Sequence, residues 1–221
     1  MDLFILGVRK HLCYKFITKE SRFFKKVNLF RCKNLSLHKI YSYFYTMQKE
    51  SISSLLSENE DKLREIFMSH DASLWMSGPQ GKWTAGQHVV HLVQSSQALL
   101  RALKLPKFFI KWKFGTCNRP TRSFDEVKER YEQKLSAAGT VISPFSVNMP
   151  QLTIDDKPFW LDKLSTLNAN LNKVTRGLSE KHLDSLVIPH PLMGKLTIRE
   201  ILMWNAYHLE HHIRILKQKY I

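Results

Sequence analysis

Apolar residues recur at alternating spacings of three and four along four stretches of the chain, the period of a helix with one face turned to a core. The first runs from about Ser51 to Met68 through Ile52, Leu55, Leu56, Leu63, Ile66 and Phe67. The second follows the break Gly78-Pro79-Gln80-Gly81, begins at Thr84 and stops at about Leu105, before Pro106. A third extends from about Pro158 to Arg176 through Phe159, Leu161, Leu164, Leu167, Leu171 and Val174, and a fourth from Thr197 to Lys219. Thr84 with Gln87, Ser123 with Glu126 and Thr197 with Glu200 have capping-box spacing, in which a hydroxyl and a longer polar side chain satisfy each other's free backbone N–H groups. Ser123 thus opens a shorter helix through Val127, Tyr131 and Leu135 to Gly139.

The intervening segments lack such a period. Phe108–Pro120 reads as a solvated connector, 140–156 as a loop and Ser179–Leu186 as a short turn. Pro189–Gly194 reads as a tight connection with His190 as an exposed turn residue. These elements predict an all-α fold: a four-helix bundle with an extra short helix, occupying residues 47–221 and preceded by a disordered or irregular N-terminal extension.

Two of the stripes carry histidines. On the fourth helix the stripe is Ile198, Ile201, Asn205, His208, His212 and Ile215; on the second it is His88, His91, Ser95, Ala98 and Ala102. His208 and His212 are one turn apart, about 5–6 Å at Cβ, which suits two ligands of one metal ion. The competing reading is a pair of core histidines, each of which would need its own buried hydrogen-bond partner. A third ligand from the second helix would favour the metal, and spacing does not choose between His88 and His91. His211 falls off the stripe, toward solvent or the rim of a site. Asn205 either orients a ligand or substrate or is a hydrogen-bonded core residue, and Glu210 points away from the stripe. The helical stripes hold too few carboxylates for a di-iron site. No Gly-rich phosphate loop, Gly-x-Ser-x-Gly elbow or Cys-x-x-Cys pair occurs.

The formal charge of +15 suggests nucleic acid or a membrane surface until its distribution is considered. Residues 1–46 hold ten Lys/Arg against Asp2 and Glu20, 10 − 2 = +8, which leaves 15 − 8 = +7 for the rest. This first stretch mixes aromatics, basic residues and serines without a period. It fits a secretory signal poorly, and its acid-poor composition fits a transit peptide better. The preferred reading is that translation begins at Met47, leaving residues 1–46 without evolved structure. The basic connector, with Lys107, Lys111, Lys113 and Arg119, has no second basic-aromatic run to support nucleic-acid binding. No run approaches the roughly 18–20 apolar residues of a membrane span. Three cysteines without paired or metal-type spacing point to a reducing compartment, taken as the cytoplasm.

The segments Trp83-Thr-Ala-Gly-Gln-His-Val-Val-His91-Leu92 and His190-Pro-Leu-Met-Gly194-Lys-Leu-Thr-Ile-Arg-Glu200, leading to Tyr207-His-Leu-Glu-His-His212, resemble the DinB-like superfamily of metal-binding four-helix bundles. The resemblance spans about residues 50–219. It implies a histidine of the second bundle helix joined to a His-x-x-x-His pair of the last, and so selects His91, His208 and His212 as ligands of one divalent ion. Zinc or nickel is the first expectation, iron or manganese the next. His88, Asn205, Tyr207 and Arg119 are left as candidate substrate or supporting residues. The resemblance implies a metal-dependent transferase joining a low-molecular-weight thiol to an electrophile, with hydrolysis at the same metal or a non-enzymatic binding bundle as alternatives. Small molecules are the expected partners, neither nucleic acid nor membrane is, and a homodimer is compatible with this reading.

Overall fold

Four helices of twenty residues or more carry the fold: α1 (Lys49–Ser69), α2 (Ala85–Lys104), α5 (Asp156–Gly177) and α7 (Ile198–Lys219). Shorter helices α3 (Lys107–Phe114), α4 (Phe124–Ala138) and α6 (Glu180–Ser185) fill the connections, together with a 3-10 turn at Ala72–Met76. The strands β1 (Val187–His190) and β2 (Gly194–Thr197) form an antiparallel hairpin pairing Val187 with Thr197 and His190 with Gly194. This computed structural model describes residues 46–139 and 149–221. The expected N-terminal extension, but for Thr46, and most of the expected 140–156 loop lie outside the described residues.

Bundle order differs from chain order. α1 packs against α5 and α7, and α2 packs against the same two, so α1 and α2 sit on one diagonal and α5 and α7 on the other. The long route from α2 to α5 allows this arrangement, and it brings α7 alongside α2. All three expected capping boxes form, at Thr84 with Gln87, Ser123 with Glu126 and Thr197 with Glu200. Each cap of this kind typically contributes about 1 kcal/mol.

The Thr197 cap does more than start a helix. Glu200 is fully buried, accepts from the backbone N–H groups of Thr197 and Arg122, and binds Arg119 through two hydrogen bonds of 2.6 and 2.8 Å. Burial pushes its carboxyl up, but Arg119 and the backbone donors outweigh burial and hold it below its usual range. One carboxylate thereby ties the start of α7 to the α3–α4 connection. Gly86, in the first turn of α2, allows another close approach: a Cβ there would lie 2.5 Å from the Trp75 ring.

Several sequence expectations change. The solvated connector contains α3, an eight-residue helix too short to display a period. Only its Ile110 is fully buried. The tight connection at Pro189–Gly194 is the hairpin itself, and His190 is buried rather than exposed. Its Nδ1 accepts from the backbone N–H groups of Leu192 and Met193, both at 3.1 Å, which satisfies the turn from inside. Phe159 is exposed. The buried face of α2 drifts from His88, His91 and Ser95 to Ser96, Leu99 and Leu103, leaving Ala98 and Ala102 only half-buried. α7 has no single stripe over its first three turns: every residue from Ile198 to Leu209 is buried, because α1, α2, α4, α6 and the hairpin surround it.

Candidate metal centre

Where α2 and α7 run together, three buried histidines turn their outer ring nitrogens toward one point. His91 Nε2 lies 3.2 Å from His208 Nε2, and His212 Nε2 lies 3.1 Å from the same atom. One ring nitrogen from each of the three could ligate a metal ion, and these atoms all lie within 4.8 Å of one another. Nitrogens bound at about 2.0–2.1 Å around a tetrahedral ion stand roughly 3.3–3.4 Å apart, so the spacing suits a single ion. His208 and His212 owe their shared face to the helical repeat, whereas His91 is delivered by packing.

The proton positions on His212 follow from its neighbours. The backbone oxygen of Trp83 can only accept, so the Tyr220 hydroxyl, 2.7 Å away, donates to it. The Tyr220 oxygen therefore accepts from His88 Nε2 at 2.9 Å. A neutral His88 protonated at Nε2 has a lone pair at Nδ1. That lone pair accepts from His212 Nδ1, 2.8 Å away. A neutral His212 protonated at Nδ1 presents an Nε2 lone pair to the other two rings. Metal-ligating histidines generally have their second nitrogen fixed in this way.

Burial keeps His88, His208 and His212 neutral. It pulls the pKa of His88 down to about 4, helped by nearby His91. It holds His208 and His212 well below the ordinary histidine value, with the neighbouring histidines adding to the effect. Neutral imidazole is the form that binds metals. Aromatic rings enclose the cluster: Trp204 stacks on His208 with centroids 4.7 Å apart, and Trp83 lies 5.1 Å from His91. Tyr131 of α4 meets both His208 and His211 edge-on.

A histidine of the second bundle helix set against a His-x-x-x-His pair in the last is the arrangement expected above, and the DinB superfamily signature matches residues 45–216. The chain belongs to the DinB superfamily. A solved structure, YfiT from Bacillus subtilis, described as a probable metal-dependent hydrolase with an unusual four-helix bundle topology, superposes on it with a TM-score of 0.51. The match covers 84% of this chain and 88% of YfiT at 19% sequence identity, and so establishes a shared fold. No curated protein matches the chain.

Within this DinB-type bundle the remaining candidates separate. His88 touches His212 directly, as described. Asn205 is buried one turn before His208 and accepts from Ser96 Oγ at 3.3 Å, which links α2 to α7. Its Nδ2, like His208 Nδ1, is buried without a hydrogen-bond partner among the described residues. Tyr207 turns toward α4 instead, donating to Glu132 and accepting from Arg214 at 3.1 Å. Arg119 is engaged by Glu200, two turns of α7 (about 12 Å along the axis) before His208. His211 is half-buried at the rim beside Tyr131 and Arg214, and burial followed by the Arg214 charge lowers its pKa to about 4. Sequence reasoning did not single out Tyr220, Trp204 or Tyr131 for the site. Trp204 stands one turn before His208 and was legible by spacing. Tyr220 lies past the end of the helix, where periodicity no longer applies.

Proposed function

We propose that this DinB-family chain is a divalent-metal-dependent enzyme acting on small molecules, with His91, His208 and His212 holding one ion. The observation that carries the proposal is the convergence of three buried imidazole nitrogens, one of them with its lone pair fixed by the His88–Tyr220 hydrogen bonds. A donor set of neutral imidazoles suits zinc, nickel or iron better than magnesium or calcium, and zinc or nickel is the first expectation. An ion there would lower the pKa of a thiol or water bound beside it.

The chain's own residues supply the setting. His88 orients His212, and the rings of Trp83, Trp204 and Tyr131 pack against His91 and His208. Asn205 brings a buried amide N–H to the same helix face. Transfer of a low-molecular-weight thiol to an electrophile is the leading reaction, because a thiolate needs no protein base once formed. Glu132, the carboxylate beside His211, is a poor base: hydrogen bonds from Tyr207 and Arg214 hold it below the usual carboxylate range. Hydrolysis is the second reading, favoured by the fold shared with a protein described as a probable metal-dependent hydrolase.

Elemental analysis of the purified protein should find about one divalent ion per chain, and thiols should alter the spectrum of a nickel- or cobalt-loaded sample. Thiol conjugation of model electrophiles should then exceed the uncatalysed rate. An unperturbed spectrum and no conjugation, with metal-dependent ester or amide cleavage, would replace thiol transfer by hydrolysis. A protein that holds no ion would overturn both.

A further inference from the structure

No Asp or Glu occurs between Asp71 and Asp125, an interval in which Lys107, Lys111 and Lys113 lie on α3 and Lys104 three residues before it. On that helix Phe108 and Trp112 are one turn apart and 76% and 79% exposed, the two most exposed large hydrophobic side chains among the described residues. Ile110 anchors the opposite face, fully buried. Lys111 and Lys113 of the same helix and Lys104 at the end of α2 are exposed, and none forms an ion pair among the described residues. Lys195 of β2 joins them, bonded to the Phe114 carbonyl at 2.7 Å.

We propose that this face docks the protein on an anionic lipid bilayer. Aromatic side chains on one face of a helix, flanked by lysines whose long stems reach past them, match the headgroup boundary of a membrane: the rings enter it and the cations meet acidic headgroups. Charge complementarity favours the bilayer over two other occupants. A second copy placing the same patch opposite would set like charges face to face. Residues 1–46, with ten Lys/Arg against two acids, carry the same sign. Single-stranded nucleic acid shares the preference for cations and aromatics but binds along grooves that follow its backbone, whereas Phe108 and Trp112 project from a short helix. No helix among the described residues is long and apolar enough to cross a membrane, so docking here is peripheral.

The test is co-sedimentation of the full chain with vesicles of phosphatidylcholine alone and of phosphatidylcholine mixed with phosphatidylserine. Binding to the mixed vesicles, little to the neutral ones and a decline as salt rises are expected. Phe108→Ser with Trp112→Ser, and separately Lys111→Glu with Lys113→Glu, should each weaken binding about tenfold or more. Unchanged melting temperatures would show that the fold survives these exposed substitutions. Trp112→Phe should retain binding and abolish the blue shift in tryptophan fluorescence that vesicles induce in the parent. Undiminished binding by both double variants, equal binding to neutral vesicles, or no binding would overturn the proposal. So would tighter binding to a single-stranded oligonucleotide than to anionic vesicles, or a dimer that Trp112→Ser dissociates.

Discussion

His88 Nδ1 lies 2.8 Å from His212 Nδ1. One histidine of α2 therefore meets the inner nitrogen of a histidine on α7, while the next histidine along α2 meets the outer nitrogens of the α7 pair. Two residues three positions apart on one helix thus take different parts: His91 converges with the triad and His88 sets the proton position of a triad member. His88→Ala should weaken divalent-ion affinity about 10–100-fold while leaving one site per chain at saturating metal. Tyr220→Phe should give a smaller loss. Nitrogen NMR of the histidine rings should find His212 protonated at Nδ1 in the parent, and a mixture of tautomers in His88→Ala would be the signature of the lost acceptor.

Alanine at His91, His208 or His212 should reduce bound metal far below one ion per chain, because two imidazoles seldom retain an ion against a chelator. His211→Ala should retain it. Metal content after dialysis against a weak chelator separates the two outcomes, and full retention in His208→Ala would remove the centre from this position.

Acid should destabilise the protein at the histidines. His88, His190 and His211 are lowered to about 4 by burial, from an ordinary value of 6.5. Between those values the unfolded chain binds protons that the folded chain refuses. The stability they contribute is complete above about pH 6.5 and is lost as pH falls toward 4. The melting temperature of the metal-free protein should decline over that window, and a flat profile would mean that the rings are hydrated. Bound metal should be released in the same direction, since protons compete for the same nitrogens.

Glu200→Gln should destabilise the fold by about 3 kcal/mol, the lower end for breaking a buried ion pair, because Arg119 and Arg122 keep partial access to water. Thermal or urea unfolding measures this. Metal stoichiometry at saturation should survive, since Glu200 stands two turns from the triad.

The helices that hold this centre, their starts at Thr84, Ser123 and Thr197, and the common face of His208 and His212 are legible in the order of residues alone. Those are local matters, fixed by hydrogen-bond chemistry at a cap and by 3.6 residues per turn. Periodicity could not assign separate parts to His88 and His91, because both lie on the buried face of α2. It could not show His190 folded inward under Trp204, since two backbone N–H groups of the hairpin draw it there. Nor could it find Tyr220, whose place depends on the Trp83 carbonyl far away in the chain, or the exposed ring pair of α3, which is defined by what fails to cover it. Each of these depends on how one helix crosses another and on which polar atoms that crossing leaves to be satisfied.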